Sequence, residues 1–265
     1  MVWGISMDGY RILLSDQDLY ELDNVKSSLS HTHQKKRVFK KDIKKIFLDS
    51  FYIENEGGYM LDAEKLNQVW YPQIYSDIFI SHSHKDVSKA EKLAEILYDK
   101  FGLVAFVDSY VWQSCDELLR RLDKKHCVLR HDKNGHTIFN YNQCMFSSSH
   151  VHMMLAVSLM QIIHGAKSIF VLDTDQSLFD MNGKIKTSSP WIFFELALSN
   201  ILIQDTPLFE HFASKQEKLN VCYPIDISHL PSLGKYEFIE WIRSCRNDNN
   251  SLSVLKSVIK EITND

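Results

Sequence analysis

The stretch from residue 75 to 108 leaves this chain few architectures. "DIFIS" (77–81) and "LVAFVD" (103–108) are short, mostly apolar runs. Between them "DVSKAEKLAEILYDKFG" places Val87, Ala90, Leu93, Ala94 and Leu97 on one helical stripe, with Gly102 as its stop. Brief apolar runs read as buried strands and a 3.6-residue stripe as an amphipathic helix. A strand–helix–strand unit joins parallel strands by a right-handed crossover, and a parallel sheet needs cover on both faces. The pattern continues downstream. "SSHVHMMLAVSLMQIIHGA" reads as a helix capped by Ser148 or Ser149, and "KSIFVLDT" as a third strand. "SSPWIFFELALSNILI" reads as a helix with Ser189 as N-cap and Pro190 at N1, where the missing N–H costs nothing. "LNVCYPIDIS" is expected to be a fourth strand and "SLSVLKSVIKEI" a closing amphipathic helix. The expected fold class is α/β, a small doubly wound parallel sheet.

Residues 1–72 read as a separate N-terminal α+β region. A polar, helical stretch leads to "KKRVFKKDIKKIF", with seven basic residues from Lys35 to Lys45. Val38, Ile43, Ile46 and Phe47 lie at roughly helical spacing there, so the basic residues read as a solvated face of an amphipathic helix, the alternative being a patch for an acidic partner or nucleic acid. "SFYIENEGGYML" reads as a hairpin turning at Gly57-Gly58. The second expected domain, 73–265, carries an expanded loop over about 109–148, with a helical segment "DELLRRLDKK" and a short hairpin at "NGHTIFN". Leu118, Leu119, Leu122 and Trp112 in that loop are apolar groups without an evident partner, as at an interface or in a loop that packs back on its own domain.

The net charge of −4 gives no reason to expect nucleic acid or an anionic membrane. "MMLAVSLMQII" is too short to span a bilayer, and the N-terminus lacks the pattern of a signal peptide. A cytoplasmic protein without a membrane partner is expected. Five cysteines with no C-x-x-C pair fit reduced thiols better than disulfides or a zinc site. His82 and His84, and His150 and His152, fix no metal geometry, so no metal is expected.

One residue stands out. Glu195 carries the only charge in 188–203, and an uncompensated carboxylate in an apolar segment is costly. In open α/β sheets ligands sit beyond the carboxyl ends of the strands. Those ends carry Ser81 and His82, Asp108, and Asp173 with Thr174; the helix of Glu195 starts on the same side. Trp191 lies four residues before Glu195, on one helix face.

"SDIFISHSHKD", "LVAFVD" and "SSPWIFFEL", in this order, resemble the first-strand box, second strand and glutamate element of a Toll/interleukin-1 receptor (TIR) domain over about 75–265. The nearest likeness is to bacterial TIR proteins with an N-terminal extension. The resemblance implies a flavodoxin-like fold and NAD⁺ nucleosidase activity, releasing nicotinamide and ADP-ribose or a cyclic isomer, in antiviral defence signalling. It implies Glu195 as the catalytic carboxylate and Trp191, Ser81, His82, Asp108 and Trp112 as substrate contacts. NAD⁺ would be substrate, with no cofactor. The implied partners are further copies of the chain, through TIR–TIR contacts, and an effector that senses the product. The alternative is a non-catalytic TIR scaffold or decoy.

Overall fold

The computed structural model describes residues 7–27, 48–56, 58–71, 74–204, 221–246 and 250–264. The basic segment 35–45 lies outside the described residues. In chain order the strands are β1 (Asp8–Ile12), β2 (Tyr52–Asn55), β3 (Gly58–Leu61), β4 (Ile78–Ser81), β5 (Ala105–Val107), β6 (Val128–His131), β7 (Thr137–Phe139), β8 (Ser168–Leu172), β9 (Phe179–Met181), β10 (Lys184–Thr187), β11 (Tyr223–Pro224) and β12 (Ser232–Leu233). The helices are α1 (Asp16–Asn24), α2 (Ala63–Trp70), α3 (Val87–Phe101), α4 (Ser109–His126), α5 (Tyr141–Gly165), α6 (Pro190–Gln204), α7 (Lys235–Ser244) and α8 (Ser251–Asn264).

The chain forms two compact units. The first comprises Met1–Lys35, Tyr75–Asp108 and Ile163–Asp265; the second comprises Lys36–Ile74 and Ser109–Ile162. The first is built on a five-stranded sheet in the order β12-β1-β8-β4-β5. Every neighbouring pair in it is parallel. The βαβ unit read from 77–108 is present, with Phe79 opposite Phe106 and their rings stacked at 5.5 Å. Gly102 ends α3 in the left-handed conformation, φ 69°, which glycine adopts without a Cβ penalty.

Helices cover both faces of this sheet. Tyr10 and Phe170 are register partners and meet edge to face. Phe170 in turn meets Phe238 and Trp241 of α7. Strand side chains alternate between faces, so Gly9 and Ile169 point the other way. There α6 lies close: a Cβ on Gly9 would sit 2.5 Å from Leu230 and 2.7 Å from Ile203. Gly9→Val is therefore expected to lower stability by ~1–3 kcal/mol through overpacking, read as a lower denaturation midpoint with an unchanged slope. A midpoint equal to wild type would show that α6 can move away.

The fourth-strand expectation is corrected. Among the described residues 221–228 only Tyr223–Pro224 is a strand, and it pairs antiparallel with β10 outside the central sheet. Pro224 lacks the N–H an interior strand must donate. The places beyond β8 are taken by β1 and β12. Residues 8–12, assigned to the separate N-terminal region, thus belong to the main sheet, followed by α1 with its Ser15–Asp18 capping box. An antiparallel hairpin, β9–β10, turns on Asn182-Gly183, both at positive φ. This is the tight-turn signature of an Asn-Gly pair, and it delivers the chain to the start of α6.

The second unit replaces the expected loop 109–148 with regular structure. Helix α4 buries Cys115, Leu118 and Leu122, so two of the three leucines read as unpartnered are core residues, while Leu119 is half-buried. Arg121 lies over the Trp70 ring of α2, 5.4 Å from its centroid. The β6–β7 hairpin follows, and α5 begins at Tyr141 rather than at Ser148. Asn140 caps it, accepting from the Gln143 N–H at 3.2 Å. The β2–β3 hairpin has the expected position, with Asn55 opposite Gly58.

Helix α5 is 25 residues long, and its most apolar 18-residue window has a mean hydropathy of 1.2. The run "MMLAVSLMQII" is thus part of a helix long enough to cross a bilayer, although its own length is not. Val151, Leu155, Leu159 and Ile162 form a buried stripe on it, the pattern of a core helix. That pattern is compatible with a soluble protein.

Candidate functional site

The site lies in the first unit, at the carboxyl ends of β4 and β5. Chain order and spatial order part company here: β5 follows β4 on one side, and β8 lies on the other. In open α/β sheets such a switch is where ligands bind, because successive connections leave in opposite directions. Ser81 is the last residue of β4, His82 follows it, and Asp108 follows β5. Helix α6 is started by Ser189, whose Oγ accepts from the Ile192 N–H at 3.3 Å. That start brings Glu195 down one turn later.

Ser81 Oγ donates to Glu195 Oε2 at 2.6 Å. Glu195 is 0 % exposed, and no donor reaches its buried Oε1. His82 Nδ1 is 3.1 Å from both the Ile80 carbonyl and Asp108 Oδ1. Both neighbours accept, so Nδ1 carries the proton. Nε2 is buried without a partner. Unpaired buried polar atoms are rare and call for an explanation.

Burial, and after it the negative charge of Asp108, hold the Glu195 carboxyl well above its usual range; a hydrogen bond shared with Asp108 adds to this, against the pull of the Ser81 hydrogen bond. Two carboxyls in a dry site cannot both ionise cheaply. An arriving cation would oppose both effects and draw this pKa back down.

Four residues named from the sequence, Ser81, His82, Asp108 and Glu195, are brought together. Trp191, half-buried on the turn before Glu195, lies edge-on to Phe194 at 6.2 Å. Trp112 lies on α4, and its side chain is outside the described residues. The other strand-end residues are engaged elsewhere. Asp173 pairs with Arg11, and Thr174 Oγ1 donates to Asp86 Oδ2 at 2.6 Å. Of the remaining histidines, His152 meets Ser148 at 3.1 Å and His150 packs against Phe146.

The sequence reading missed a second buried polar contact on α6. Ser199 Oγ lies 3.1 Å from His229 Nε2 and donates to the Leu196 carbonyl at 2.9 Å. Burial holds the His229 imidazole below its ordinary value. No local pattern flags it, since the two residues are thirty positions apart.

Fold and site define a class: an α/β protein with a parallel sheet and a buried acid cluster at its carboxyl edge. No protein-family model matches the chain, and neither a curated protein nor a solved structure does.

Proposed function

We propose that the protein is a cytoplasmic NAD⁺ nucleosidase of the TIR type, with a flavodoxin-like domain whose catalytic carboxylate is Glu195. The observation that carries this reading is the cluster itself: a buried glutamate held by Ser81 and Asp108 at the strand-order switch, beside a buried His82 Nε2 that lacks a partner. A ligand with a cationic centre and hydroxyl groups would satisfy them.

The chemistry needs little else. The bond from ribose C1′ to the pyridinium nitrogen breaks, and its electron pair leaves with neutral nicotinamide, so no acid is required. Positive charge develops on the ribose, and the Glu195 carboxylate stabilises it. The positive pyridinium compensates that carboxylate as substrate binds, which lowers its pKa. Attack by water, with loss of one proton, gives ADP-ribose; attack by a group of the same nucleotide gives a cyclic isomer. His82, ordered by Asp108, and Trp191 contact the substrate in this reading. Further copies of the chain are the expected partners, and antiviral defence signalling the expected setting.

The test is nicotinamide release from NAD⁺ by purified protein at high concentration, with the nucleotide product identified by mass spectrometry. Absence of release across a wide concentration range would reject the reading. Trp191→Ala is expected to shift the ratio of cyclic to linear product, because water gains access to the reacting ribose. Its stability cost should fall well short of the ~3–5 kcal/mol of a fully buried tryptophan. A large drop in melting temperature with unchanged product would make Trp191 packing only.

A second reading rests on the complete burial of Glu195. A non-catalytic scaffold or decoy, acting through TIR–TIR contacts, needs no substrate access, and in it the cluster would serve as a polar core element. The same assay separates the two.

A further inference from the structure

The second unit contains a convergence of metal-ligating groups unrelated to Glu195. Asp123 and Cys127 are four residues apart at the end of α4, where the Cys127 N–H still donates to the Asp123 carbonyl at 2.8 Å. The β6–β7 hairpin then leaves and returns. Val128 pairs with Phe139, and the Asn140 N–H donates to the Cys127 carbonyl at 2.7 Å. Cys144 stands on the first turn of α5 immediately after. The hairpin thus closes a sixteen-residue gap, and Asp123, Cys127 and Cys144 place a carboxylate oxygen and two sulfurs within 4.8 Å of one another.

We propose that Asp123, Cys127 and Cys144 bind one thiophilic divalent cation, zinc by preference. Tetrahedral zinc with metal–sulfur bonds of about 2.3 Å and a metal–oxygen bond of about 2.1 Å sets sulfurs about 3.8 Å apart and sulfur about 3.6 Å from oxygen. The Cys127 Sγ to Asp123 Oδ1 separation is 3.4 Å, so a small side-chain adjustment suffices. Ser147, one turn beyond Cys144, donates to Asp123 Oδ1 and lies 3.8 Å from Cys127 Sγ. It orients the carboxylate as outer partners of metal ligands do, and water completes the fourth position.

Two thiolates favour zinc over magnesium or calcium, which take oxygen donors. Binding converts both thiols to thiolates and releases two protons, one from each sulfur. Because those protons are released on binding, affinity rises with pH. The bound ion would clamp the base of the β6–β7 hairpin and tie the end of α4 to the start of α5.

The test uses the reduced full-length chain and Co²⁺ as a spectroscopic probe. One Co²⁺ per chain should bind, with thiolate-to-cobalt charge-transfer absorption and the strong visible bands of a tetrahedral site, and Zn²⁺ should displace it. Cys127→Ser and Cys144→Ser should each remove the charge-transfer band or halve it and weaken binding by more than ~100-fold, the upper range for mere outer partners. Cys222→Ser should change neither. Should a cysteine variant fail to fold, Asp123→Asn keeps both thiols and should weaken binding while retaining the sulfur band. The proposal is overturned if reduced protein gives no charge-transfer band. It is equally overturned if the band survives in folded Cys127→Ser and Cys144→Ser, or if the two thiols form a disulfide whose reduction restores no metal uptake. None of these readouts involves NAD⁺.

Discussion

Glu195→Gln should abolish NAD⁺ cleavage and at the same time make the protein more stable at neutral pH. The activity loss follows from charge: glutamine keeps the shape and can still accept from Ser81, but it cannot stabilise a cationic ribose. A loss of at least ~10²–10³-fold in kcat is expected when such a stabilising group is removed. The stability gain follows from the proton. The folded pKa of Glu195 lies well above its ordinary value of 4.5, so between the two values the folded chain holds more protons than the unfolded chain. The contribution is therefore fully present below about pH 4.5 and is lost as pH rises toward the folded pKa. Glutamine is neutral at every pH and escapes this loss. Its melting temperature should exceed that of wild type by several degrees at pH 8, corresponding to ~1–2 kcal/mol, and the difference should shrink as pH falls toward 5. Turnover within about threefold of wild type would remove Glu195 from the chemistry. A melting difference that grew on acidification would mean the carboxyl is ionised in the folded protein.

Trp241→Ala should be the most damaging single truncation in the core. Trp241 is 0 % exposed and stacks on Phe101 of α3 with ring centroids 3.7 Å apart. Its indole N–H donates to the Ser251 carbonyl at 2.7 Å, and the Ser251 hydroxyl reaches the Phe101 carbonyl at 3.3 Å. One side chain thereby joins α3, α7 and the start of α8 over the face of the sheet that carries Phe170. Truncation leaves a cavity and an unpaired carbonyl, a cost of ~3–5 kcal/mol. In a chain of this size that lowers the melting temperature by roughly 10 °C. Calorimetry or circular dichroism would measure it. A drop below about 1 kcal/mol would mean the helices repack around the gap.

Much of this structure is written in local periodicity. The strands at 78–81, 105–107 and 168–172 and the helices at 87–101 and 190–204 were legible because a buried strand and an amphipathic helix impose patterns a few residues long. The same holds for Ser189 as a cap and for Asn182-Gly183, whose turn signal was present but not used. The identities of Ser81, His82, Asp108 and Glu195 followed from strand ends plus one unpaired charge, since the carboxyl edge of a parallel sheet is where the helices and loops leave room.

What the sequence could not carry depends on sums over distant neighbours. It did not say that residues 8–12, rather than 219–228, pair beside β8, because strand order is decided by which faces are buried and which N–H groups find acceptors. It did not say that Leu118 and Leu122 of the supposed loop are core residues, since their partners come from another part of the chain. Nor did it reveal the raised pKa of Glu195, which needs both complete burial and Asp108 close by. Cys127 and Cys144 look unrelated in sequence, and only the pairing of Val128 with Phe139 brings their sulfurs together. In each case the sequence determined the residue and its local conformation, and the tertiary structure alone decided its neighbours, because desolvation and charge act through space rather than along the chain.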